Sequence, residues 1–360
     1  MKKLISLFSI FVGLLFINNN MFAQNTSADS LLNFIQQNKS RSSLYLEKND
    51  SVIAHLNENK MMPLASTAKI MIAIEFAKQA SYHLFDENKH VSLSELDKYY
   101  IPNTDGNAHP NWINYEKQKG NIIDDSVALI EVAKGMIMFS SNANAEYLMD
   151  FLGIDNVNSN FKILGITDYT PLYPWVASLF LYQDPKHLKQ EKIIKEIKKF
   201  STEQYDRAAL LIHNQLKYDN VYKQNFRPQD LTVPMQKEWS DRLPSSTTKE
   251  YARICNILNN REILDKKTYT ILSPILETIM ENPANQTWLS HAGMKGGSTM
   301  FVLTKALYAT LKNGTKIELA YFFNDLSQKE NEQLQPWMNA FELKILTDEN
   351  FRKKVAEDLN

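Results

Sequence analysis

The sequence predicts an α/β chain of the α+β type. One antiparallel sheet takes strands from both termini and is flanked by helices, and an all-helical lobe is inserted between the two ends. Three observations carry this expectation. Strand-like apolar runs lie near both ends, Leu44–Leu46 and Val52–Leu56 at one, and Trp288–Met294, Met300–Leu311 and Ile317–Phe323 at the other. Lys48-Asn49-Asp50 and Lys312-Asn313-Gly314 join neighbouring runs as hairpins. Between the two groups, apolar residues recur at helical spacing, so the middle of the chain reads as helix.

Residues 1–23 stand apart from the fold. Lys2-Lys3, the apolar run Leu4–Ile17 and the small Ala23 form the pattern of a secretory signal peptide. Asn18-Asn19-Asn20 stops the run short of a membrane span. Residues 24–360 are expected to form one exported domain, periplasmic or secreted and monomeric, with no integral membrane segment once the leader is removed. The chain has 40 Lys and Arg against 41 Asp and Glu, a net charge of −1, which argues against nucleic acid as a partner. Cys255 is its one cysteine, so no internal disulfide is available. It falls in an apolar helical pattern with Tyr251, Ile254, Ile257 and Leu258, the setting of a buried structural thiol.

Taken in order, Leu31, Leu32, Phe34 and Ile35 give the first helix, and the hairpin strands follow. Met62–Ile74 reads as a loop breaking into a helix that is apolar on most sides, hence buried. Val91–Pro110 is polar and turn-rich, with Asp105-Gly106, and reads as a rim loop. Asp125 or Ser126 is expected to cap a helix running to Met136, with a second helix from Ala145 to Leu152 closed by Gly153. Residues of about 185–243 form a helical insertion. There Lys186, Lys189, Lys192, Lys195, Lys198 and Lys199 face solvent over Ile193, Ile194, Ile197 and Phe200, and Ser201 with Gln204 makes a capping box for the next helix. Ser246 is expected to cap a helix through Leu258, and a polar helix from Gln328 closes the chain.

Ser66 and Lys69 stand at the entry of the buried helix, and residues three apart share a face. Burial and a helix N-terminus both disfavour the charged amine, so Lys69 can serve as a base to a Ser66 nucleophile. Ser-x-x-Lys recurs at Ser159/Lys162, in a polar connection, and at Ser246/Lys249, where the serine is better placed as a cap. Neither supplies a desolvated amine. Lys295-Gly296-Gly297-Ser298 puts two glycines within a strand pattern, a mark of close approach by a ligand or another backbone, with a cation beside it for a carboxylate. A bulge at a sheet bend is the plain alternative. Ser140-Ser141-Asn142 lies between two helices, where a cap would explain it as well. The seven histidines form no ligand pair, so no metal and no cofactor is expected, and His55 and His291 read as structural.

Ser66-x-x-Lys69, Ser140-x-Asn142 and Lys295-x-Gly297, in this order, resemble the serine β-lactamase and penicillin-binding-protein superfamily, with the nearest likeness to the class A β-lactamase catalytic domain. The resemblance spans roughly residues 40–180 and 245–345. Tyr100-Ile101-Pro102 looks like the family's rim Tyr-x-Pro. It implies a β-lactamase/transpeptidase-like fold, with Ser66 as the acylated nucleophile and Lys69 as its proton acceptor. Ser140 would pass a proton to the leaving nitrogen, and Asn142 would hold Lys69 and the substrate amide. Lys295, Gly296, Gly297, Ser298 and Tyr100 would contact substrate, and Lys295 would also lower the pKa of Lys69 by repulsion. The backbone N–H groups of Ser66 and Ser298 would form an oxyanion hole.

Two departures qualify that expectation. Gly296 stands where the family has Thr or Ser, and Asp168–Val176 contains no Glu where class A enzymes carry the deacylating base. Asp168 is the one carboxylate there, and Tyr169, Tyr173 and Trp175 are expected to pack beneath the loop. The function implied is that of an exported serine hydrolase, class A β-lactamase-like and slow in turnover, serving β-lactam breakdown and antibiotic resistance. Its substrate would be a β-lactam or a peptidoglycan-like acyl-peptide. The alternatives are a D-alanyl-D-alanine carboxypeptidase/transpeptidase or esterase and, from another class, a β-lactam-binding sensor or pseudo-enzyme.

Overall fold

The computed structural model describes residues 21–183 and 189–360. Most of the expected leader and Lys186 lie outside the described residues, and Ala23 falls in the opening of the helix Met21–Gln37. The described residues divide into two compact units, one of 21–67, 161–170 and 245–360, the other of 68–160, 171–183 and 189–244.

The first unit is built on a five-stranded antiparallel sheet: β1 (Ser42–Lys48), β2 (Ser51–Leu56), β3 (Leu289–Ser298), β4 (Leu303–Leu311) and β5 (Lys316–Phe323), in the order β2-β1-β5-β4-β3. Strands from both ends of the chain meet where β1 pairs with β5, Leu44 opposite Tyr321. Asn49 and Asp50 both take positive φ, the twist that a two-residue hairpin needs, and Gly314 does so at the β4–β5 turn. Side chains alternate across a strand, so each face has its own helices. Leu44, Leu46, Leu307, Leu319 and Phe323 join a core with Leu31, Ile35, Phe341 and Ile345 of the helices Met21–Gln37 and Gln328–Thr347. On the other face Tyr251 of the helix Thr248–Asn260 meets Phe322 edge-on at 5.8 Å. Cys255 is buried in that helix and burial pushes its thiol up, away from reactivity. With no disulfide, stability rests on this core, at about 1.5–3 kcal/mol for each large apolar side chain removed from water.

The second unit is mainly helical and centres on the helix Lys69–Ser81, where Ile70 to Ala77 are all buried. The helices Leu129–Met138 and Asn142–Leu152 pack against it. Gly135 is required by contact: a Cβ there would lie 2.3 Å from Trp112 Nε1. In the 189–243 region, Lys189, Lys192, Lys195, Lys198 and Lys199 are exposed while Ile193 and Ile197 are buried. The helix Thr202–Tyr218 starts on the Ser201/Gln204 capping box and buries Tyr205, Ala209, His213 and Leu216 along one stripe. No helix among the described residues is long and apolar enough to cross a membrane.

Several local expectations are corrected. Ser126 does not cap a helix: Ser126–Ala128 is a strand paired with His90–Ser92, and the helix starts at Leu129. Val91–Pro110 is no simple rim loop, since Tyr99, Ile101, Thr104 and Asp105 are buried. Ser159 and Lys162 lie within the helix Ile154–Ile163, not in a connection. The cap of Thr248–Asn260 is Thr247, whose hydroxyl accepts from Glu250 N. Ser246 instead pairs with Met62 in a short bridge and donates its hydroxyl to Asp168 O at 2.6 Å. The C-terminal helix is two, broken at Asp348, whose carboxylate caps the second.

Candidate active site

In the helical unit, Lys69 is the first residue of its helix and is fully buried. Its Nζ donates to Ser140 O at 2.6 Å and Asn142 Oδ1 at 2.8 Å, and lies 3.3 Å from Ser140 Oγ. Burial pulls the amine down to about 7, against the opposing pull of Asp105 and Glu146. At that value Lys69 exchanges a proton near neutral pH. A neutral amine keeps two donors for the two carbonyl oxygens and offers a lone pair to the Ser140 hydroxyl.

The turn that supplies these partners is strained. Ser140 has φ +65°, a left-handed conformation costing a non-glycine residue about 1–3 kcal/mol. It directs the Ser140 carbonyl and hydroxyl at one amine. Ser141 is the helix cap of the motif, fully buried, accepting from Asn144 N at 3.2 Å and lying 3.0 Å from His109 Nδ1. Asn142 spans the turn, its Nδ2 reaching Thr104 O at 3.4 Å. Half-buried Tyr100 leans on the His109 ring at 5.0 Å, one ring away from the Ser140–Asn142 turn.

In the sheet unit, Ser66 lies in the 3-10 turn Ala65–Ala68, which runs on in the chain into Lys69. Ser66 is partly exposed between buried neighbours, as an attacking hydroxyl must be. Ala65 before it has φ +45°, a second strained residue. The turn is tied to β4: Thr304 Oγ1 donates to Leu64 O at 2.9 Å and lies 2.7 Å from Thr67 Oγ1. Gly297 on β3 is what lets the turn approach. A Cβ on it would stand 2.6 Å from Leu64 O, Ser66 N and Thr304 Oγ1. The Ser66 N–H therefore lies directly against the Gly297 backbone.

Lys295 is buried on β3 and donates to Gly296 O at 2.7 Å. Gly296 pairs with Lys305 across the ladder, and a Cβ on it would meet the Lys305 side chain at 3.5 Å. Where the resemblance would put a hydroxyl, a buried lysine stem fills the adjoining space, its Nζ 3.3 Å from Glu342 Oε1. Ser298 and buried Thr299 follow at the end of the strand.

Asp168 is exposed, and its backbone rather than its carboxylate is engaged: its N donates to Glu250 Oε1 at 3.2 Å. Tyr169 stacks on Phe161 at 4.0 Å, and Tyr173 and Trp175 are buried. Two further carboxylates matter here. Asp105 stands in an Asp-Gly pair, the pattern of a turn, which hides its burial. Glu146 lies four residues after Asn142, on the same helix face. Buried Glu146 accepts from Val176 N at 2.9 Å and pairs with His213 Nδ1 at 2.8 Å. The spacing from Asn142 was the signal that could have found it.

Burial alone would lower the His213 pKa, but Asp150 and Glu146 together push it up to about 9. A raised folded value means stability fully present below about 6.5 and lost as pH climbs through 9. His213→Leu should cost about 3 kcal/mol at pH 6, narrowing above pH 9. Thermal melts across that range check it, and a pH-independent difference would refute the pairing.

A sequence model described as the Beta-lactamase enzyme family matches residues 26–278. The chain belongs to the beta-lactamase enzyme family. A search of the curated proteins found no match. Among solved structures, a class A beta-lactamase representative from Bacteroides cellulosilyticus DSM 14838 is 17% identical, with TM-score 0.52, covering 91% of this chain and 99% of its own. A beta-lactamase from Chitinophaga pinensis DSM 2588 is 14% identical, with TM-score 0.53, covering 89% and 98%. The TLA-3 extended-spectrum beta-lactamase is 14% identical, with TM-score 0.53, covering 89% and 99%. At such identities the likeness is one of fold, and it agrees with the antiparallel sheet and helices found here.

Proposed function

We propose that the protein is an exported serine hydrolase that opens a β-lactam or a related amide through an acyl-enzyme on Ser66. The observation that carries this reading is the Lys69 amine, wholly buried, held by Ser140 and Asn142, and brought to about 7 one turn along the chain from Ser66. Lys69 takes the Ser66 proton as Oγ attacks the carbonyl carbon. The Ser66 N–H supports the oxyanion, with the Ser298 N–H as second donor. Ser140 returns a proton to the leaving nitrogen as the amide bond breaks. Lys295 supplies the cation for the substrate carboxylate. Tyr100 borders the substrate, and the leader places the enzyme in the periplasm or outside the cell.

The loop at 168–176 brings no buried carboxylate of the kind a deacylating base requires, since Asp168 is exposed. That favours slow release of the acyl group; a trapped, stable adduct would support a β-lactam sensor, and turnover would support an enzyme, whether a β-lactamase, a D-alanyl peptidase or an esterase. The test is incubation of the mature protein with a penicillin and a chromogenic cephalosporin, following intact mass and absorbance. Adduct or turnover is expected; neither appearing would sink the reading.

A further inference from the structure

Asp105 is buried, with 5% of its surface exposed. Its Oδ2 accepts from His109 N at 3.0 Å and so caps the helix Ala108–Lys119. A cap explains one oxygen only. Oδ1 is equally buried and has no hydrogen-bond partner among the described residues. The backbone N–H groups of Asn142 and Ala108 also act on the carboxylate, and a buried negative charge is costly unless an opposite charge lies near it. Gly106 and Asn107, both at positive φ, turn the chain immediately behind it. The residue before it is tied to the base, because Thr104 O accepts from Asn142 Nδ2 while Asn142 Oδ1 accepts from Lys69 Nζ.

Asn142 links the two groups, its Oδ1 accepting from Lys69 Nζ and its backbone N–H acting on the Asp105 carboxylate, which makes Lys69 the cation of this cluster. His109 is pushed by burial down to about 4 and is neutral, with its Nδ1 on Ser141 and its Nε2 4.0 Å from Asp97. Tyr100 is pushed by burial up to about 12 and is neutral as well. Glu146, the other carboxylate acting on Lys69, is occupied by Val176 N and by His213. Burial pushes the Asp105 carboxyl upward; the His109 N–H, then the Lys69 charge and the N–H groups of Asn142 and Ala108, draw it back.

We infer that Asp105 is the charge partner of Lys69, a positioning residue whose carboxylate steadies the ammonium formed when Lys69 takes the Ser66 proton, and so fixes the pH range in which acylation runs. This rests on the acyl-enzyme reading above. No bond is made to Asp105. The proton moves from Ser66 Oγ to Lys69 Nζ and is later returned through Ser140 to the leaving nitrogen, while Asp105 stays ionised opposite it.

The test separates charge from cap. Asp105→Asn and Asp105→Ser each keep an oxygen for His109 N but lose the charge. The titration of Lys69 is followed by NMR in protein carrying carbon-13 at lysine Cε, and adduct formation on Ser66 is timed by mass against pH. Without the carboxylate the ammonium is less favoured, so the Lys69 midpoint should fall by about one unit or more, with the acid limb of acylation moving down alongside it. An unchanged midpoint in both folded variants would overturn the inference while leaving the Ser66 reading intact. A lowered midpoint with no adduct on the wild type would uphold the pairing and overturn the acyl-enzyme reading.

Discussion

Gly297→Ala is expected to destroy acylation and to destabilise the protein by about 1–3 kcal/mol. The added Cβ would lie 2.6 Å from Leu64 O, Ser66 N and Thr304 Oγ1 at once. Two of these are backbone atoms, and the third is held by Leu64 O and Thr67, so none can yield cheaply. β3 and the Ser66 turn must separate, and the Ser66 N–H then leaves its place as an oxyanion donor. Loss of one such donor costs on the order of 10²–10³ in rate. Gly296→Ala is the internal control. Its Cβ finds neighbours at 3.5 Å, an ordinary contact, so the melting temperature should change little. Melting temperature checks the pair, and the rate of adduct formation checks Gly297→Ala; equal melting of the two variants would contradict the close approach.

Lys69→Met is expected to lower the acylation rate on the order of 10²–10⁴-fold, the usual contribution of a positioned base. It should also change how stability depends on pH. Lys69 is lowered from 10.5 to about 7 by burial. Between those values the unfolded chain holds a proton that the folded one has released, so wild-type stability climbs with pH across that window. Below pH 7 the folded protein carries the buried ammonium at a cost of about 5 kcal/mol relative to an ordinary lysine. The methionine variant should lose this slope. Its absolute stability gains less, because Ser140 O and Asn142 Oδ1 lose their donor at about 1–3 kcal/mol each. Urea unfolding at several pH values from 6 to 10.5 measures the slope, and an identical slope in wild type and variant would place the shift elsewhere.

The sheet was legible because strand alternation and turn chemistry are local. Asn49-Asp50 and Lys312-Asn313-Gly314 specify hairpins whatever surrounds them, and the apolar periods of Lys69–Ser81 and Thr202–Tyr218 mark buried faces. Ser66, Lys69 and the glycines of β3 were readable because their types are unusual for their elements. What escaped depends on tertiary placement. Ser126 and Ser246 carry cap chemistry but lie in short strand pairings that only distant residues define. Asp105 looked like a turn residue because Asp-Gly ordinarily is one. Its burial comes from a loop folded inward onto Asn142, which no local pattern announces. Glu146 and His213 lie 67 residues apart and meet only once the inserted helix has docked.

The central claim concerns Ser66 and is tested most directly by intact mass after exposure to a penicillin, in wild type and in Ser66→Ala. The account predicts a covalent adduct of the whole ligand mass on the wild type, persisting or slowly discharged, mapped by peptide digestion to the segment holding Ser66, and absent from the alanine variant. An adduct of equal yield on Ser66→Ala would contradict it.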